Sequence, residues 1–205
     1  MSEDVDPEAL QRDLDRIKDA MGIAERNENA PEQWLLFGVF VAVGSALSQY
    51  VVLQRLPGYW FAVIWLGLVG VGGTAVGYYT NTFEPTPEDR PNVALQVFAP
   101  YAAGFPLWAA VSPFLSDLAY EEEAALMLGV VLVLLGTGYV VAANSLRAYR
   151  IRVRDRRAFA LGGLLLVALG VAIPTVDVLH TWGYAAFGGT YLAYAIASYG
   201  VLTRT

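Results

Sequence analysis

The sequence predicts an all-α protein: a polytopic six-helix transmembrane bundle behind a short N-terminal cytoplasmic amphipathic helix. Three observations predict it. First, 56% of the 205 residues are hydrophobic before 20 glycines are added, and only 16% are charged; a soluble domain is about 45–50% apolar with glycine included. Second, six apolar stretches of 20 to 23 residues (34–53, 59–79, 93–115, 124–143, 158–179 and 182–202) hold one charged side chain, Asp177, while the other 31 fall in the remaining 78 residues. About 20 helical residues cross a hydrocarbon core. Third, lysine and arginine alternate in abundance between successive loops. With the N-terminus in the cytoplasm, twelve lie inside and Arg55 alone lies outside, which is the positive-inside pattern. Six spans then place both termini in the cytoplasm of a cell (plasma) membrane protein.

Residues 1–33 form the cytoplasmic head. Asp6, Pro7 and Glu8 read as N-cap, first helical position and dipole partner, so a helix starts near residue 7 and runs to about 24. Leu10, Leu14, Ile17, Met21 and Ala24 follow at alternating spacings of four and three, one narrow seam. The head carries ten acids against four bases, the wrong charge for an anionic membrane surface. The seam is suited to the protein's own cytoplasmic segments, a second copy or a partner protein.

The spans follow in order. Span 1 carries Ser45, Ser48 and Gln49 on its outer half. Span 2 carries Gly70, Gly73 and Gly77, a small-residue face suited to helix packing. Pro100, Pro106 and Pro113 mark span 3 as the one to be kinked and to line a cavity, with Gln96 and Tyr101 as its polar groups. Span 4 ends in the segment 144–157, which contains Arg147, Arg150, Arg152, Arg154, Arg156 and Arg157 against Asp155. That segment is the electrostatic counterpart of the acidic head: either its arginines enforce topology from among the lipid headgroups, or the head docks on it as a removable latch. Span 5 contains Pro174 and ends with Asp177 and His180, one turn apart; an ionisable pair there is a candidate proton- or cation-binding entrance. Span 6 places Tyr184, Tyr191, Tyr194 and Ser198 on one face. Two glycines with one threonine recur as Gly-Gly-Thr at 72–74 and 188–190 and as Gly-Thr-Gly at 136–138. The short outer segments (54–58, 116–123 and 180–181) predict that spans 1–2, 3–4 and 5–6 pack as hairpins. Trp34, Tyr79 and Tyr199 are expected as anchors at the inner boundary, and Tyr50, Tyr59, Trp60 and Trp182 at the outer one.

Acid excess in the head, one lysine beside twelve arginines and an isoelectric point near 4.7 are similar in style to multi-pass integral membrane proteins of halophilic archaea. Residues 10–18, Leu-Gln-Arg-Asp-Leu-Asp-Arg-Ile-Lys, also resemble small bacterial membrane proteins that open with a leucine-spaced cytoplasmic helix. The resemblance implies layout and salt adaptation and brings no functional residues.

Zero cysteines exclude disulfides, zinc-thiolate sites and thiol catalysis. The sequence contains no HExxH, GxSxG or GxxxxGK[ST] pattern and a single histidine, so neither enzyme activity, a metal nor another cofactor is expected. Expected partners are the lipid bilayer and a protein bound through the N-terminal helix, with no nucleic acid. The functional expectation is an accessory, assembly or regulatory subunit working through its head and arginine segment. The alternative is a small ion or solute transporter or channel lined by spans 3, 5 and 6.

Overall fold

The computed structural model describes residues 30–80, 91–149 and 153–203. The seam residues Leu10, Leu14, Ile17 and Met21, together with Arg150 and Arg152, lie outside them. The described chain is all-helical: α1 (Ala30–Leu53), α2 (Tyr59–Thr80), α3 (Val93–Val111), α4 (Tyr120–Ser145), α5 (Val153–Thr175) and α6 (Asp177–Thr203), with 3-10 turns at Ser112–Leu115 and Leu146–Tyr149. Six helices form one bundle. Four of them, α1, α3, α4 and α5, contain stretches long and apolar enough to cross a membrane.

The bundle has an apolar core, with Leu132, Leu166 and Ile173 fully buried, and an apolar surface as well. Many leucines, valines and phenylalanines face outward, among them Leu66, Leu95, Leu161 and Phe114 at 60, 63, 60 and 87% exposure. Small and polar residues go inside, with Ser45 and Ser48 at 1 and 0%. An apolar surface of this extent is stable only against an apolar solvent, so the chain is a membrane protein. Tyr50, Tyr59, Trp60 and Trp182 are exposed near one end of the bundle, as interfacial anchors should be. Trp34 departs from that expectation: it turns inward onto Tyr139, Phe159 and Tyr194 at 5.4–6.4 Å between ring centres.

Two helix pairs dominate the packing, α4–α5 and α1–α6, with α3 laid on α4 and α2 on α1. The three expected hairpins do touch, but α1–α2 and α5–α6 are the looser contacts. Glycine placement explains the ranking. A methyl at Gly129 would sit 2.6 Å from the Gly170 carbonyl oxygen, and one at Gly136 would sit 2.5 Å from the Gly163 oxygen; the reverse distances are both 2.7 Å. The two helices therefore meet backbone to backbone at two levels, seven residues apart on each. Pro174 cannot donate to the Gly170 carbonyl, which leaves that oxygen facing α4. The α1–α6 pair repeats the device. Gly38 opposes Ala195, and Ser45 opposes Gly188, each with room for no further carbon (2.5 and 2.6 Å), again at a spacing of seven. Among lipid-like surroundings, close approach of this kind is the main source of helix affinity.

Helix ends follow local rules. Asn92 caps α3 by accepting from the Leu95 N–H at 2.9 Å, and Glu122 accepts the Ala119 N–H at the start of α4. The α1–α2 turn closes with Leu56 N–H on the Val51 carbonyl and Arg55 N–H on Val52, which is a Schellman motif. Arg55 occupies its left-handed position at φ 48°, where glycine is the usual residue.

Pro174 and Asp177 move the α5–α6 boundary. Sequence hydropathy extends span 5 to residue 179, but α5 ends at Thr175 and α6 begins at Asp177. Aspartate is favoured in a first turn, and the freed end of α5 is met by His180 Nε2, 3.1 Å from the Pro174 carbonyl. The arginine segment is also shorter than expected. α5 starts at Val153, so Arg154, Arg156 and Arg157 lie in its first two turns, with Asp155 beside them against the unfavourable dipole.

Candidate functional site

Buried polar side chains among the described residues gather where α1 meets α6: Ser45, Ser48 and Gln49 on α1 and Ser198 on α6. Gln49 of α1 donates through Nε2 to the Thr181 carbonyl at 2.6 Å and accepts the Ala185 N–H on Oε1 at 2.9 Å. Those two backbone groups are the i and i+4 partners of one helical turn, so the amide of Gln49 spans the rung that α6 would close by itself. Nearby, the Oγ atoms of Ser45 and Ser48 are buried without a hydrogen-bond partner among the described residues. These serines act here by size: Gly188 lies against Ser45 Cβ.

Toward the arginine end, Trp34, Tyr139, Phe159 and Tyr194 bring α1, α4, α5 and α6 together. Tyr139 and Phe159 stack with centres 4.7 Å apart. Tyr139 and Tyr191 share a hydroxyl contact of 3.0 Å, and Tyr194 donates to the Ala158 carbonyl. On the polar face of span 6, Tyr191 is thus bonded to α4 and Tyr194 to α5.

At the opposite end, the α1–α2 turn is fastened to α4. Arg55 reaches Glu121 Oε1 through Nη2 at 2.7 Å and Nε at 2.9 Å, and Tyr120 donates to the Leu56 carbonyl at 2.7 Å. Asp177 is exposed and His180 half-buried at this end.

Gln96 and the Asp177–His180 pair stand at different levels of the bundle. Pro174, which His180 touches, lies by Gly129 of α4, whereas the Gln96 backbone lies by Gly138. Nine residues of helix, about 13 Å, separate those levels. Gln96 keeps a buried Oε1 with no partner among the described residues. Tyr101 lines a cavity. That cavity, about 110 Å³, lies between α2 and α3 over α4 and α6, walled by Phe61, Trp65, Gly104, Trp108, Leu128, Leu132, Tyr184 and Phe187 among others. Phe61 and Tyr184 stack across its edge at 5.2 Å. No residue of α5 contributes, so this is not a path shared by spans 3, 5 and 6; α3 and α5 pack on α4 without extensive contact with each other.

Gly70, expected at a packing face, has nothing within 4 Å of an added methyl; it stands on the open side of α2. The surroundings of Gly73 and Gly77 lie outside what is described. The glycines that do bring backbones together, 129, 136, 163 and 170, carried a readable signal in their matched spacing of seven. The cavity-lining rings on α2 and the Tyr139–Phe159 stack carried none. No group of three or more metal-ligating side chains occurs among the described residues.

No family model, curated protein or solved structure matches this chain.

Proposed function

We propose that this chain is a multi-pass accessory, assembly or regulatory subunit of a plasma membrane, with both termini in the cytoplasm, and that it works through its acidic head and arginine segment. One observation carries the reading. Gln49, Tyr139, Tyr191 and Tyr194 are spent on holding helices together, and no charged side chain lines the cavity. Among the described residues, positive charge is densest at the arginine end, where Arg147, Arg154, Arg156 and Arg157 stand against Asp155. A net −6 head and a net +5 segment on one side of the membrane suit a latch that a partner's acidic surface displaces. Acid excess over lysine suits a salt-rich cytoplasm, where a Debye length of about 3 Å at 1 M leaves only contact pairs effective.

The chain has no cysteine, so introduced thiols report cleanly. Asp15→Cys paired with Arg147→Cys should crosslink in the intact membrane, and Asp15→Cys should react with an impermeant maleimide only after lysis. Absence of any crosslink to the arginine segment overturns the latch, and labelling in intact cells overturns the orientation. Ion flux through vesicles holding the purified protein, above that of empty vesicles, overturns the accessory reading in favour of transport.

A further inference from the structure

Two helix pairs, α4–α5 and α6–α1, close on small residues seven apart. Stepping by the same interval along the chain, the third pair is α2–α3, and it does not close. α2 carries Gly72-Gly73-Thr74, as α6 carries Gly188-Gly189-Thr190. Seven residues before Gly136, α4 has Gly129; seven before Gly72, α2 has Trp65. Trp108 and Tyr101 face the same gap from α3. Phe61 and Trp65 of α2 and Tyr101 and Trp108 of α3 stand in the gap between the two helices, which holds the cavity of about 110 Å³.

We propose that this cavity takes up the end of a hydrocarbon chain of a surrounding lipid. The occupant is argued from wall, size and surroundings. No charged side chain lines the cavity, and its polar side-chain groups are tyrosine hydroxyls and indole N–H, so a headgroup, an ion or a peptide backbone would go unsatisfied. An apolar cavity of about 150 Å³ holds a benzene-sized molecule, so this one admits a short terminal stretch of chain. Left empty, its wall forfeits dispersion contacts. Val63 and Leu66 on α2 and Leu107 on α3, next in sequence to the lining residues Ala62, Trp65 and Trp108, are exposed at 54, 60 and 46%, so lipid chains run beside both helices that flank the cavity. This site is independent of the head and of any partner it binds.

The test uses the full chain in phosphatidylglycerol vesicles with a trace of the same lipid carrying a diazirine near the chain end. After irradiation, labelled peptides are mapped by mass spectrometry. Label should concentrate on Trp108 and Met127. Ala62→Leu, which adds carbon at the cavity wall, should lower it there about tenfold, the change equivalent to about 1.4 kcal/mol. Ala168→Leu, on the exposed side of α5, should leave it unchanged. Competition by unlabelled straight-chain phospholipid against branched isoprenoid lipid distinguishes the chain preferred. Label spread evenly over outward faces, no effect of Ala62→Leu, or chain-to-chain crosslinks at the cavity in place of lipid would overturn the proposal. Should Ala62→Leu lose helix by circular dichroism, the distribution in the unsubstituted protein decides.

Discussion

Gly136→Ala is the sharpest probe of the bundle. The new methyl would lie 2.5 Å from the Gly163 carbonyl oxygen and 2.9 Å from the Val167 nitrogen. Reaching an ordinary contact of about 3.4 Å takes a local separation of about 0.9 Å, and a gap of about 0.5–1 Å forfeits roughly a quarter to a half of each contact's attraction. Overpacking of this kind costs about 1–3 kcal/mol. Gly70→Ala supplies the reference, since its methyl meets nothing and alanine improves helix propensity by up to about 1 kcal/mol. Unfolding in mixed micelles of increasing dodecyl sulfate, followed by circular dichroism, should separate the two variants by about 2–4 kcal/mol with opposite signs. Gly136→Ala with Gly163→Ala should cost less than the two singly, because either one already parts the helices. Equal shifts for Gly136→Ala and Gly70→Ala, or full additivity within the pair, would refute the close-contact account.

Gln49→Leu removes both bonds to the α6 backbone and should lower stability by about 1–2 kcal/mol, at roughly 0.6 kcal/mol per membrane hydrogen bond plus the loss of fit; no change in the same unfolding assay would mean that α6 closes its own rung. Ser48→Ala should be neutral or stabilising by up to about 1 kcal/mol, because it deletes an unpaired buried hydroxyl at nearly constant size. Arg55→Gly should stay within about 1 kcal/mol of the parent, since relief of the left-handed conformation offsets an exposed ion pair of about that worth. Arg55→Val, β-branched at positive φ, should be clearly destabilising, and equal stability of the two variants would argue against the Schellman turn.

The six apolar helices were legible because lipid-scale hydropathy is a one-dimensional signal. The end of α5 was not. Val176 to Leu179 are apolar enough to continue a span, and only the chemistry of Pro174 and Asp177 marks the break. Glycine was legible as a packing residue in kind but not in place. Gly70 and Gly136 sit in similar sequence contexts, and which one meets a neighbour depends on a partner helix elsewhere in the chain. The same holds for Asp177, His180, Gln96 and Tyr101: each is polar in an apolar run, but proximity between them needed the register of α3, α4 and α5, which sequence periodicity does not supply.

Pairing α1 with α6 has a cost during synthesis. Gln49 finds its partners 132 and 136 residues further along, and at about 5–20 residues per second the ribosome delivers them only after roughly 7–27 s. Until then α1 sits in the bilayer with two serines and an amide uncovered. A nascent chain in that interval is a client for whatever shields polar helix faces, and an unfinished copy is open to capture by another molecule's α6. Birth order, rather than final stability, is therefore where this architecture is most exposed to error.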